Sequence, residues 1–262
     1  MHSLWKHNET QRRPHAPRRP ARWRCTACRR RFTARSASAF SRRGFADEVI
    51  ALSIRWHIRY RLSYADVAEW LAERGIMVDR STIYRWVRGF LPLFAEAARS
   101  HLWPVDGKWR VDETYCRLDG RWAYCYRAID RHGQVADAYF SERRNAAAAR
   151  TFFERAIART GVTPERIVTD RARCYPPALR VVLPTAEHRC CKYLNNALER
   201  DHGHLKQRLR PMRGFKDPAS ADSVVRGYAL VQNLRNGFST LTAAVPRPLR
   251  LLTGWTYLAG LI

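Results

Sequence analysis

Acidic residues are scarce in this chain: 23 Asp and Glu stand against 48 Lys and Arg among 262 residues, a formal charge of +25 at neutral pH. Such an imbalance points to a polyanionic partner. Long apolar runs are also lacking. Met1–Thr10 has no apolar core of the signal-peptide kind, and the last apolar run, Leu251–Ile262, is too short to span a bilayer. No basic amphipathic helix stands out, so a membrane partner is not expected and nucleic acid is the better candidate. Cysteine is sparse too. The seven cysteines (25, 28, 116, 125, 174, 190 and 191) contain one CxxC, and an odd number without a secretory signal reads as reduced thiols in a cytoplasm. Apolar content is not lacking. At 46% hydrophobic residues the chain has enough to build one large domain with a smaller module attached.

Residues 1–43 form a basic arm rich in Arg and Pro, with Glu9 its only acid. Such a stretch is expected to stay largely disordered until it meets nucleic acid. Cys25 and Cys28 lie in RWRCTACRRRFTARSASAF (22–40), which has the look of half a zinc ribbon. A structural zinc site needs four ligands and a CxxC supplies two. With no second CxxC upstream, and only His2, His7 and His15 nearby, a truncated ribbon without resident zinc is expected.

Apolar residues recur at helical spacing over 45–60, and Ser63 with Asp66 forms an N-terminal cap signature for a second helix that stops at Gly75. A third helix, about 80–90, turns Ile83, Trp86 and Val87 inward. Helix, glycine turn, helix is the helix-turn-helix layout, and its last helix would enter the major groove. Arg80, Ser81, Tyr84, Arg85 and Arg88 fall on that helix's open face. An all-α DNA-binding domain is therefore assigned to 44–92, although three-helix units also serve packing alone. A linker at 93–106 follows Pro92 and contains Pro104.

The pattern then changes to strands. Trp109–Leu118, Arg121–Asp130 and Gln134–Ser141 are rich in aromatic and β-branched residues and separated by Asp119-Gly120 and Arg131-His132-Gly133. These are hairpin signals, so an antiparallel meander is predicted. A helix over 145–160, a short strand at 166–169, a helix near 177–182 and a strand near 187–191 complete an α/β (α+β) domain over 107–212. Residues 213–262 read as helices without an assigned role.

The stretch 192–210, KYLNNALERDHGHLKQRLR, reads as a helix. Leu194, Leu198, Leu205 and Leu209 fall on one stripe; Asn195, Glu199, His202 and Lys206 fall on a neighbouring one. On most helices such a stripe is simply a solvated face. Here Asp112 and Asp170 lie in or at the end of strand-like runs upstream. Three carboxylates converging from two strands and a helix make a cage for a hard divalent cation. Two rival carboxylates have plainer readings. Strand alternation sends Glu113 to the face opposite Asp112, and Asp130 sits where a turn-forming aspartate is common.

VDETY (111–115), VTDRARCY (168–175) and HRCCKYLNNALERDHGHLKQR (188–208) resemble the DDE transposases of bacterial insertion sequences, most of all the sixth insertion-sequence family, over roughly residues 44–240. The resemblance implies a ribonuclease H-like domain with a mixed sheet, which agrees with the element order above. By position it makes Asp112, Asp170 and Glu199 the catalytic, metal-holding triad. Two Mg²⁺ (or Mn²⁺) ions would be bridged by Asp112 and held singly by Asp170 and Glu199. Lys206 is the basic residue two turns after the glutamate, and with His202 it would hold phosphate or the scissile end. The implied activity is cleavage at the element's terminal repeats and strand transfer into target DNA, of the replicative kind. A homodimer or higher assembly on DNA, in the nucleoid of a bacterial cytoplasm, is implied with it. One departure stands out: 28 residues separate Asp170 from Glu199, fewer than is usual in the family. The alternative reading is therefore a decayed or repurposed DNA-binding protein without catalysis.

Overall fold

A computed structural model describes residues 22–33, 35–190, 203, 205–207, 209 and 214–262. The expectations for residues 1–21, Glu199 and His202 lie outside the described residues. Packing divides the chain into two units, Met1–Arg42 and Arg43–Ile262. In the first, β1 (Trp23–Arg24) and β2 (Arg31–Phe32) pair antiparallel. Trp23 stacks on Phe32 across them, with ring centroids 5.7 Å apart. Cys25 and Cys28 occupy the connecting turn, which closes through Cys25 N–H to Arg30 O at 2.9 Å and Arg29 N–H to Cys25 O at 3.0 Å.

The second unit opens with α1 (Asp47–Tyr60), α2 (Tyr64–Ala72) and α3 (Arg80–Ala97). The cap predicted for α2 is present in full: Ser63 Oγ accepts from Asp66 N–H at 3.1 Å, and Asp66 Oδ2 accepts from Ser63 N–H at 2.7 Å. Gly75, at φ 73°, supplies the left-handed turn after α2. Asp79 caps α3 by accepting from Ser81 N–H at 2.7 Å.

The expected linker at 93–106 requires correction, because α3 runs on through Pro92 to Ala97 and a short 3₁₀ turn follows at Arg99–His101. Proline in a helix interior removes one hydrogen bond and crowds the preceding turn. Phe90, Leu91, Phe94, Ala95 and Ala98 continue the helical spacing and are all buried, and that burial offsets the defect.

Five strands make the sheet, in the order β5-β4-β3-β6-β7. β3 (Lys108–Leu118), β4 (Arg121–Asp130) and β5 (Val135–Ser141) form the predicted antiparallel meander. β6 (Arg166–Thr169) adds parallel to β3, and β7 (Glu187–Cys190) adds parallel to β6. Three antiparallel strands with two parallel ones on the far side of the first is the ribonuclease H-like arrangement. It leaves β3, the strand of Asp112, at the centre. α4 (Ala146–Thr160), capped by Asn145, and α5 (Tyr175–Val182) cover one face. Between them and the sheet lies a core that includes Trp109, Val111, Tyr126, Phe152, Phe153, Ile167 and Tyr175.

The C-terminal region is helical as predicted: α6 (Pro218–Asn236) and α7 (Arg250–Leu261). α6 packs against both β5 and α3, and α7 packs against α1, α3 and α6. Asn233 of α6 accepts from Val135 N–H at 2.8 Å and donates to Val135 O at 2.9 Å. Its side-chain amide thus pairs with the edge strand much as a neighbouring strand would. Trp255 of α7 stacks on Phe94 and donates its indole N–H to Ala51 O at 2.9 Å.

α6 packs against α3 with Gly227 facing Leu91. A Cβ there would meet Leu91 side-chain atoms at 2.4–2.6 Å, and Leu91 is fully buried. Gly227→Ala is expected to destabilise the protein by about 1–3 kcal/mol through overpacking. Gly89→Ala, on the exposed side of α3 with open space around it, should be neutral or stabilising by up to about 1 kcal/mol. Paired thermal melts check both, and a Gly227→Ala protein that melts with the wild type would contradict the packing described.

Candidate active site

β3 and β6 determine where the first two acids meet. Their parallel register pairs Lys108 with Arg166, Trp109 with Ile167 and Arg110 with Val168. Continued by two residues, it sets Asp170 level with Asp112. Asp112 Oδ1 accepts from Glu113 N–H at 2.8 Å, and Asp170 Oδ1 accepts from Ala172 N–H at 2.9 Å. Thr169 is buried beside them. Its hydroxyl lies 2.8 Å from Asp170 O and 2.9 Å from His188 Nε2 on β7. Burial lowers the pKa of the His188 imidazole below its usual value.

Glu113 is a correction to the sequence reading. Alternation does send its side chain to the α4–α5 face, with Trp109 and Val111. Its carboxylate nevertheless reaches the same place: ligand atoms of Asp112, Glu113 and Asp170 all lie within 4.8 Å of one another. Among the described residues this is the one such group of His, Cys, Asp and Glu. The Glu113 side chain is 1% exposed. Tyr175 donates its hydroxyl to Oε2, and the Arg144 guanidinium pairs with Oε1. Arg144 Nη2 also stands 3.9 Å from Asp170 Oδ2, and Nη1 donates to Tyr115 Oη at 3.1 Å. Burial, and then the Glu113 charge, push the Tyr175 phenol well above its ordinary range. The same two causes bring the Cys174 thiol up to about 11, so no thiolate nucleophile forms there at neutral pH.

The donor chemistry fits a hard divalent cation, which takes carboxylate oxygens. Of the predicted triad, the structure brings Asp112 and Asp170 together, while Glu199 lies outside the described residues. Within the predicted 192–210 helix, Leu205 and Leu209 are helical and buried and Lys206 is helical and exposed, as the stripes require. Lys206 lines an open cavity of about 760 Å³ together with Tyr115, Arg117 and Trp122. Asp130 has the structural role expected of it. Its Oδ1 accepts from His132 and Gln134 N–H, each at 2.9 Å, and Oδ2 accepts from Asp106 N–H at 3.2 Å.

On α3, Arg80, Ser81, Arg85 and Arg88 are exposed. Tyr84 is a correction to the expected open face. It is half-buried, and its hydroxyl donates to Asp217 Oδ2 at 3.1 Å and lies 3.2 Å from Ser220 Oγ at the start of α6. Three further residues of the acidic cluster escaped sequence reasoning in their present roles: Glu113, Arg144 and Tyr175. Tyr175 carries a faint signal, lying five residues after Asp170 in the same motif. Arg144 is one basic residue among many.

The family described as a DDE domain matches residues 106–238. Over 174 residues the chain is 37% identical to the transposase for insertion sequence-like element IS431mec of Staphylococcus aureus (strain Mu50 / ATCC 700699), covering 64% of this chain and 77% of that one. It is 36% identical, with the same coverage, to the transposase for insertion sequence element IS257 in transposon Tn4003 of Staphylococcus aureus. The chain belongs to the DDE transposases of bacterial insertion sequences. Among solved structures, the HTLV-2 integrase catalytic core domain in complex with magnesium is similar at a TM-score of 0.33 and 15% identity, over 59% of this chain and 86% of that one. Among the described residues no helix is long and apolar enough to cross a membrane.

The Tyr175–Glu113 bond tests the cluster apart from any reaction. Tyr175→Phe removes one of the donors to a buried carboxylate and should cost about 1–3 kcal/mol. Urea unfolding should show a lower midpoint at an unchanged slope; an unchanged midpoint would mean that the bond contributes nothing.

Proposed function

We propose that this chain binds the terminal repeats of its own insertion sequence, cleaves DNA there with divalent metal, and joins the freed 3′ end to target DNA. The observation that carries this reading is the convergence of Asp112 and Asp170 within a domain that matches the DDE family. Asp112, Asp170 and Glu199 are proposed as the residues that hold two Mg²⁺ ions. Bound there, the metal supplies a water of lowered pKa and stabilises charge on the attacking and leaving oxygens. The chain's own contribution is placement. Asp112 is held on the central strand, Asp170 is level with it, and Thr169 and His188 brace the backbone at Asp170. Lys206 and His202 are proposed to hold phosphate near the scissile end. Residues 44–92 are proposed as the end-binding module, with Arg80, Ser81, Arg85 and Arg88 facing DNA, and two or more chains are proposed to assemble on it.

A non-catalytic DNA-binding role is the competing reading, motivated by the short spacing between Asp170 and Glu199. Replacing Asp112, Asp170 or Glu199 singly by Ala should abolish cleavage of a duplex carrying the element's end while end binding stays within a few-fold of wild type. The losses should not add in combination, since the ligands act as a unit. A gel assay of nicking and strand transfer in Mg²⁺ checks this, and a triple variant that still nicks would overturn the assignment.

Recognition is tested separately. Arg85→Ala should weaken binding to the element's end by about 1–3 kcal/mol relative to random DNA if the side chain reads a base edge. An Arg→Ala change in the 1–43 arm should weaken all sequences alike and reduce the salt dependence. Equal losses on specific and random DNA for Arg85→Ala would show that α3 does not read sequence.

A further inference from the structure

The acidic cluster contains a cation of its own, Arg144, and the structure binds it in an unusual way. Glu113 has both carboxylate oxygens engaged, one by the Tyr175 hydroxyl and one by Arg144, and its side chain is almost wholly buried. A carboxylate so placed is a poor third metal ligand, because coordination would break buried, charge-assisted contacts. It is well suited to anchoring a guanidinium. Arg144 enters from the loop between β5 and α4, and its side chain remains 34% exposed. Its fork is held at two further points, Nη1 on the Tyr115 hydroxyl at 3.1 Å and Nη2 at 3.9 Å from Asp170 Oδ2. The Arg144 guanidinium carbon also stands 5.8 Å from the Tyr115 ring centre. A guanidinium carries five N–H donors. The contacts to described residues engage only the two Nη atoms, one toward Tyr115 and one toward Glu113 and Asp170.

On the cleavage reading above, we propose that Arg144 is a catalytic residue that contacts the scissile phosphate, and that Glu113 and Tyr175 are the positioning residues that seat it. In the hydrolytic step a water oxygen bonds to phosphorus as the P–O3′ bond breaks. One water proton ends on the departing 3′ oxygen, and the other is lost to solvent from the new 5′-phosphate. Arg144 exchanges no proton. It donates hydrogen bonds to the non-bridging oxygens as their charge grows, from a position already fixed before DNA arrives. Arginine suits this task because its planar fork matches phosphate geometry, which an ammonium does not. Fixing a long side chain beforehand also removes an entropy cost from the reaction itself.

The test compares two quantities: Mn²⁺ affinity of the DNA-free protein by calorimetry, and single-turnover cleavage of a saturating duplex carrying the element's terminal repeat. Arg144→Ala should cut about 100-fold more slowly, the loss typical of removing one preorganised donor. Its Mn²⁺ affinity should match or exceed wild type, because a cation has left the cluster and Glu113 is released. Arg144→Lys should recover part of the rate. Glu113→Gln, which keeps an acceptor for Tyr175 but loses the charge that anchors the fork, should slow cleavage while DNA affinity changes less. Asp112→Ala should instead lose Mn²⁺ affinity and cleavage together. The inference is overturned if Arg144→Ala cleaves within threefold of wild type. It is equally overturned if Arg144→Ala loses Mn²⁺ affinity and cleavage together with a collapsed melting transition, which would make the arginine a structural strut. A wild type that binds Mn²⁺ and the duplex but never cleaves would fail the underlying reading, an outcome distinct from either.

Discussion

The parallel register between β3 and β6 is the constraint on which the site depends. Asp112 is in the body of the central strand, and Asp170 follows the last residue of its neighbour. They meet because Lys108 is paired with Arg166 and the offset continues. A slip of one residue would turn the side chains of β6 to the opposite face. What prevents it is burial: Trp109, Val111 and Ile167 are fully buried under α4 and α5. The hydrophobic core therefore sets the geometry of the polar site, and it reaches that site directly through one residue, Tyr175, whose hydroxyl donates to Glu113.

That geometry opposes itself electrostatically. Two carboxylates about 5 Å apart repel by about 3 kcal/mol at an effective dielectric near 20, less where solvent reaches them as it does at Asp170. Arg144 relieves part of this by standing between Glu113 and Asp170. A second arginine lies across the sheet. Arg127 of β4 pairs in register with Asp112 and is 1% exposed, with its guanidinium 5.4 Å from the Tyr228 ring on α6. A directly opposite residue on an antiparallel neighbour has its Cβ about 5 Å away, so Arg127 and Asp112 leave the sheet side by side on one face.

Much of this was legible in the sequence, and what was not has physical reasons. The meander could be read because Asp119-Gly120 and the turn at 131–133 punctuate runs of strand formers, and the α2 cap because Ser63 and Asp66 stand at the required spacing. Asp112 and Asp170 are legible because each lies in or at the end of a strand-like run inside a motif that resembles the DDE transposases; position in a strand alone does not separate them from Asp130. Pro92 misled, because local backbone chemistry reads as a break while buried residues at 90, 91, 94 and 95 carry the helix past it. Strand alternation gives the face of Glu113 correctly but not where its carboxylate ends. A glutamate is long enough to lean around the end of the pairing, and the direction of Cβ says little about where its carboxylate finishes. Tyr84 was set on an open face because its partners Asp217 and Ser220 lie more than 130 positions away. No periodicity within α3 records them. Arg144 was invisible for a compositional reason: with 48 basic residues, one more arginine before a helix carries no signal.

α6 explains why the helix proposed to read DNA and the sheet that carries the acids do not sit on a hinge. On one side its Gly227 lets α3 approach until Leu91 fills the space a side chain would need. At its start Asp217 and Ser220 bind Tyr84 of α3. On the other side Asn233 completes the hydrogen bonding of Val135 at the sheet edge, and Asp222 pairs with Arg155 of α4 at 3.2 Å. Arg155 in turn meets the buried Asp137 of β5 at 3.1 Å. These contacts join α6 to α3 at two places, to β5 and to α4, and they stand where a proline-flanked segment suggested a linker. The orientation of α3 against the sheet is consequently a property of the core: changing it would mean exposing Leu91, Phe94 and Trp255 to water, at about 1.5–3 kcal/mol for each large apolar side chain.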